Sequence, residues 1–122
     1  MPRSPDVVAV IDDDSSMLDA MKRLLWAGGY ETELYDSAAA FLNAAVDSKA
    51  ACLLVDIQLG ESNGIELIQL LAQLGLEFPV IFMSGSDDQT ARERAINAGA
   101  VAFLRKPFSG KSLIEALSKA KR

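Results

Sequence analysis

The chain has 122 residues, half of them hydrophobic, with 17 acidic against 12 basic side chains and a formal charge of -5. That size suits a single domain, residues 1–122, built around one core. The negative balance, with basic residues clustered only at Lys119, Lys121 and Arg122, argues against direct binding to nucleic acid or an anionic membrane. Histidine is absent, which excludes His-based triads, His-ligated zinc and a phosphohistidine carrier, and the single cysteine, Cys52, excludes an internal disulfide. The longest apolar stretches hold about six residues against the ~20 that span a bilayer, and the first residues lack the apolar core of a secretory signal, so a cytoplasmic protein is expected.

In chain order, the first strand pattern is VVAVI at residues 7–11, which runs straight into Asp12, Asp13 and Asp14. The stretch SSMLDAMKRLLWAGG then sets Met17, Met21, Leu24 and Leu25 on one helical face and stops at Gly28 and Gly29, with Asp14 as its N-cap or as a solvent-facing acid. A second strand is expected at residues 31–35, followed by an Ala-rich helix within SAAAFLNAAVDS. The third strand, at residues 51–55, carries Cys52 as a small buried hydrophobe and ends against Asp56. GIELIQLLAQLG forms a third helix that ends near Gly75. The fourth strand, at residues 80–83, leads to Ser84 and to a helix in DDQTARERAINAG, capped by Asp87 or Asp88 and closed by Gly99. The fifth strand, at residues 101–104, leads to Lys106, and GKSLIEALSKAKR supplies the last helix. SGKS at residues 109–112 ends like a phosphate-binding loop, but Arg105 stands where the first glycine of that motif belongs and Pro107 and Phe108 interrupt it, so it reads as a helix N-terminus.

Strands alternating with helices of about ten to fifteen residues mark repeated βα units around a parallel sheet. Continuous apolar runs in several strands fit burial on both faces. The expected fold is therefore α/β, a single doubly wound five-stranded parallel sheet with helices on both faces and the flavodoxin-like strand order 2-1-3-4-5. In such a sheet the ligand site lies beyond the carboxyl ends of the strands. The residues at those ends are Asp12 and Asp13, Asp56, Ser84 and Lys106. Clustered carboxylates repel one another unless a cation compensates, and a hard divalent ion such as Mg²⁺ takes one or two of them while keeping water or phosphoryl oxygens as its other ligands. Lys106 and Ser84 add a positive charge and a hydroxyl donor suited to the oxygens of a transferring phosphoryl group.

With these residues in order, the chain resembles a bacterial-type two-component response-regulator receiver domain over nearly its whole length, in VIDDD, LVDIQLGESNG, IFMSGS and NAGAVAFLRKPF. The resemblance implies that Asp56 is the phosphoacceptor and that Asp12, Asp13, Asp56 and the backbone carbonyl of Gln58 hold Mg²⁺, Asp13 most directly. It implies that Ser84 and Lys106 contact the phosphoryl group and that Phe103, otherwise a core or edge aromatic, turns with Ser84 as a switch. Lacking a hydroxyl, that ring would be guided by packing alone. Lys106-Pro107 is similar to a step that is cis in the family and would aim the lysine inward. The family commonly has proline four residues after the acceptor, where this chain has Gly60, so a more mobile loop is expected there. Gln58 and Ser86 stand two residues past the acceptor and the hydroxyl, where their side chains would border attacking water and tune the phosphoryl lifetime.

The implied partners are a sensor histidine kinase or phosphotransfer protein and, through the fourth helix, fifth strand and fifth helix, a downstream effector or a second copy. The output is a surface change, and the protein is expected to act as a switch that assists its own phosphorylation and dephosphorylation, not as an enzyme. A small Mg²⁺-dependent phosphohydrolase of the haloacid-dehalogenase kind is the alternative. Asp12 and Asp14 have its acid spacing, but 122 residues leave no room for a cap and Asp56 would have no purpose.

Overall fold

The computed structural model describes residues 6–85 and 89–120. The chain alternates strand and helix: β1 (Val7–Ile11), α1 (Ser15–Ala27), β2 (Glu31–Tyr35), α2 (Ala38–Ala44), β3 (Cys52–Asp56), then a small hairpin of β4 (Gln58–Leu59) and β5 (Ser62–Asn63). It continues with α3 (Gly64–Gln73), β6 (Val80–Ser84), α4 (Gln89–Asn97), β7 (Ala102–Arg105) and α5 (Gly110–Ala120). The main sheet has five strands in the order β2-β1-β3-β6-β7, every pair parallel. Apart from the hairpin this is the expected 2-1-3-4-5 order.

Sequence decides which strands are central. CLLVD in β3 and VIFMS in β6 are buried at every position, whereas ETELY in β2 and AFLR in β7 are partly exposed and lie at the sheet edges. Charges on edge strands, here Glu31, Glu33 and Arg105, discourage pairing with a further strand. Alternate residues of each strand divide the core in two. Ala9, Ile11, Leu53, Val55, Val80 and Phe82 pack with Phe41, Leu67, Leu71 and Ala95 from α2, α3 and α4. Val8, Val10, Leu54, Ile81 and Met83 pack with Leu18, Met21, Leu25, Leu113 and Leu117 from α1 and α5. Cys52 is buried in this second core, and burial pushes its thiol up to about 12, so it behaves as a hydrophobe.

Four helices begin on a side-chain cap, Asp14 for α1, Ser37 for α2, Asn63 for α3 and Ser109 for α5, each accepting from backbone N–H groups of the first turn. The expected caps of α4, Asp87 and Asp88, lie outside the described residues. Two expected boundaries shift in a way that matters for function. Asp56 is the last residue of β3 and Ser84 the last of β6, paired in register with Met83 and Arg105, so both stand on the sheet ladder and not on the loops after it.

The segment after Asp56, expected as a loop, forms the antiparallel pair β4–β5 with Gln58 opposite Asn63. Gly60 opens its two-residue turn with φ +62, and no non-glycine residue among those described has positive φ, which is the pattern of a type II′ turn. Proline, whose ring fixes φ near -65°, cannot adopt that conformation. Gly60 thus accounts for the missing proline on backbone grounds.

Candidate functional site

The carboxyl ends of β1 and β3 meet at a buried corner. Asp12 is fully buried, Asp56 is nearly so, and Asp13 beside them is exposed. Lys106, just past β7, reaches over with its Nζ 2.8 Å from Asp12 Oδ2 and 2.8 Å from Asp56 Oδ2. The remaining oxygens are also engaged. Asp12 Oδ1 accepts from the Asp14 N–H at 2.9 Å and Asp56 Oδ1 from the Gln58 N–H at 3.0 Å. The Lys106 backbone is anchored in turn, its N–H donating to the Ser84 carbonyl at 2.7 Å, and the Lys106-Pro107 bond is cis.

Gly64 lets this corner close. A Cβ there would overlap the Asp56 backbone carbonyl and come within 2.8 Å of Val55 Cγ1, so only glycine allows the first turn of α3 to seat against the end of β3. Its N–H donates to the Ile57 carbonyl at 2.7 Å. On the other side a Cβ at Gly60 would meet Asp13 Oδ2 only at an ordinary contact distance of 3.7 Å, so it is the positive φ and not lack of space that favours glycine there.

Burial raises the Asp56 carboxyl above its ordinary value, against the opposing pull of Lys106 and the Gln58 N–H and with help from the neighbouring Asp12 charge. For Lys106, burial lowers the ammonium, but its hydrogen bonds and charge contacts with Asp12 and Asp56 outweigh this and the net shift is upward. The lysine therefore stays charged. One carboxylate oxygen from each of Asp12, Asp13 and Asp56 lies within 4.8 Å of the others. One ammonium facing three carboxylates leaves uncompensated negative charge, and these hard oxygen donors, with one acid open to solvent, suit a small divalent cation that retains water.

The other expected residues fall at different distances from this corner. Ser84 is buried at the end of β6, and Gln58 is exposed on β4 with its backbone tied to Asp56. Ser86 lies outside the described residues. Asp14 stands apart from the cluster, its Oδ1 accepting from Ser16 and Met17 N–H at 2.9 and 3.3 Å as the α1 cap. Phe103 is half-buried on β7, and the Arg92 guanidinium from α4 sits 5.2 Å from its ring centroid. Packing is thus not its sole guide. Arg92 was illegible because the azimuth of α4 over the sheet, not the spacing within either element, brings the pair together. Beside Lys106, Met17, Met21, Leu24 and Phe108 line an open cleft of about 470 Å³.

A family model described as the response regulator receiver domain matches residues 8–118. The chain belongs to this family. It is similar to the response regulator protein TmoT of Ectopseudomonas mendocina, 36% identical over 114 residues that cover 93% of this chain and 52% of the relative. It is 35% identical over 115 residues to the transcriptional regulatory protein FixJ of Bradyrhizobium diazoefficiens, covering 94% of this chain and 56% of that protein. The chain thus spans about half the length of the curated relatives it matches. Among solved structures, FixJ-N superposes with a TM-score of 0.89 at 31% identity, covering 98% of this chain and 94% of that one. The response regulator receiver protein from Burkholderia phymatum gives 0.83 at 39% identity, covering 94% of each chain.

Receiver domains are phosphorylation-dependent signalling switches, bind Mg²⁺ at an acidic pocket as a class, and work with histidine kinases and effectors. The phosphohydrolase reading is not favoured, and Asp14, its second acid, is occupied as a helix cap. Among the described residues no helix is long and apolar enough to cross a membrane.

Proposed function

We propose that this receiver domain accepts a phosphoryl group on Asp56 from a sensor histidine kinase or phosphotransfer protein. The observation that carries the reading is the Lys106 ammonium 2.8 Å from both Asp12 and Asp56 at the buried ends of adjacent strands. A charged lysine held on the acceptor is already positioned for the negative charge that a phosphoryl group brings. An Asp56 oxygen forms the new P–O bond as the P–N bond to the donor imidazole breaks. Lys106 then moves from carboxylate oxygen to phosphoryl oxygen, and Ser84 donates to another. Asp12, Asp13, Asp56 and the Gln58 carbonyl would hold Mg²⁺, which when bound supplies charge neutralisation for the incoming phosphate. The apolar cleft beside Lys106 offers the donor a surface next to the acceptor.

The domain acts as a switch, loaded about once per molecule, and not as an enzyme turning over a substrate. Ser84, drawn toward the phosphate, vacates room for the Phe103 ring, and the surface of α4, β7 and α5 changes for an effector or a second copy. Acetyl phosphate with Mg²⁺ tests the assignment by intact mass. Wild type gains one acid-labile phosphoryl group and Asp56→Asn gains none; equal labelling of the variant moves the acceptor elsewhere.

A further inference from the structure

The fourth helix is thinly attached. Ala95 is its only buried residue among those described, with Ala91 and Ala98 half-buried beside it against the sheet. Alanines bring little contact area, so α4 has weak apolar anchorage. Against that background the Arg92 guanidinium lies 5.2 Å from the centroid of Phe103, on the neighbouring edge strand. Phe103 pairs in register with Phe82, and Ser84 follows Phe82 by one strand period, so ring and hydroxyl share a sheet face one diagonal step apart.

We propose that Arg92 is a positioning residue that holds the Phe103 ring in its present orientation and so biases the domain toward the unphosphorylated arrangement. The proposal rests on the switch reading above. The attraction of a guanidinium for a ring depends on the ring face it meets, so a ring turned toward Ser84 forfeits it. That is the differential contact a bias between two states requires. At an exposed site, such a contact shifts a two-state population by about two- to fivefold. Arg92 also ties the position of α4 to the ring, so release of one frees the other.

The test uses the full chain with labelled phenylalanine, as wild type, Arg92→Gln and Arg92→Lys. Three-bond couplings report the Phe103 χ1 populations in the unloaded protein, and a titration with beryllofluoride and Mg²⁺ reports the loading midpoint. Arg92→Gln is expected to mix a second Phe103 rotamer into the unloaded state, the one that beryllofluoride selects in wild type, and to lower the midpoint by about two- to fivefold. Arg92→Lys, which keeps a cation over the ring, restores most of both. A single unchanged rotamer and an unchanged midpoint in Arg92→Gln overturn the proposal, as does a lysine variant that behaves like glutamine. If wild type takes no beryllofluoride, the switch reading fails by itself, and the unloaded rotamer populations alone decide whether Arg92 positions the ring.

Discussion

The two sides of the sheet's carboxyl edge are built on different principles. At the corner of β1 and β3, all four carboxylate oxygens of Asp12 and Asp56 have donors, and the strands beneath them are almost wholly buried. At the flank of α4 and β7, the helix fully buries one alanine and the strand is half-exposed. Phosphoryl transfer requires groups fixed to a fraction of an ångström, which an over-determined polar corner provides. A response requires an element whose arrangements differ by little energy, which a thinly anchored helix provides. Under the proposed function, rigid chemistry and pliable output are thus neighbours on one sheet, with Ser84 and Phe103 between them.

The sharpest way to break the comparison is to remove the corner's cation. Lys106→Met leaves Asp12 and Asp56 as two buried carboxylates without their shared partner. The expected cost is about 3 kcal/mol at neutral pH without divalent ions, the low end for a broken buried pair because the lysine is partly open to water. Added Mg²⁺ should recover much of it. So should acid, with Asp56, whose value is raised, taking up its proton early. Urea melts at pH 7 and pH 4.5, with and without Mg²⁺, check this. An equal deficit under all conditions would mean the lysine acts through packing of its stem.

A smaller loss is expected from Gly64→Ala, where the added methyl meets the Asp56 carbonyl and must push α3 off the end of β3. Forced overpacking of this kind costs about 1–3 kcal/mol. Because the displaced carbonyl belongs to Asp56, the proposed acceptor, the acetyl phosphate reaction should slow as well. An alanine that is tolerated with normal phosphorylation would show the corner to be less tightly determined than its hydrogen bonds suggest.

What the sequence makes legible follows the same division. The strands and their order are readable because buried strands need unbroken apolar runs and their helices need one apolar stripe. The acid corner is readable because the doubly wound topology gathers strand ends, so Asp12, Asp56 and Lys106 come together whatever their separation in the chain. The hairpin is not readable, since two-residue strands have no period to detect and its turn rests on the φ of Gly60. Nor is Arg92 over Phe103, which depends on how a weakly amphipathic helix is rotated against an edge strand.

Asp56→Asn should act in the opposite direction on stability. Burial raises the folded-state value of Asp56, so the fold binds its proton more tightly than the unfolded chain does. Stability is therefore lost as pH rises from the ordinary carboxyl range through the raised folded value, and the whole cost is present above it. A neutral asparagine escapes that cost while Lys106 keeps Asp12. The variant is expected to be more stable than wild type at pH 7, with the advantage fading as the pH falls into the ordinary carboxyl range. Thermal melts across that range check the sign. A variant less stable than wild type at pH 7 would mean that the Lys106 and Gln58 contacts outweigh desolvation.

The smallest expected effect sharpens where the corner ends. Gln58 has its backbone fixed twice, through its N–H on Asp56 Oδ1 at 3.0 Å and through pairing with Asn63, while its side chain is exposed. Substitution to alanine therefore leaves the corner's frame in place and removes only the amide. If that amide orients the water that attacks the aspartyl phosphate, as a glutamine does in small GTPases, hydrolysis slows without any change in loading. The expected lengthening of the phosphoryl half-life in Gln58→Ala is about two- to threefold, well under 1 kcal/mol in barrier. Loss of intact-mass label over time, started from equally phosphorylated proteins, measures it. A half-life unchanged or shortened would assign the exposed face of β4 to the solvent, and the chemistry of the corner would stop at the Gln58 backbone.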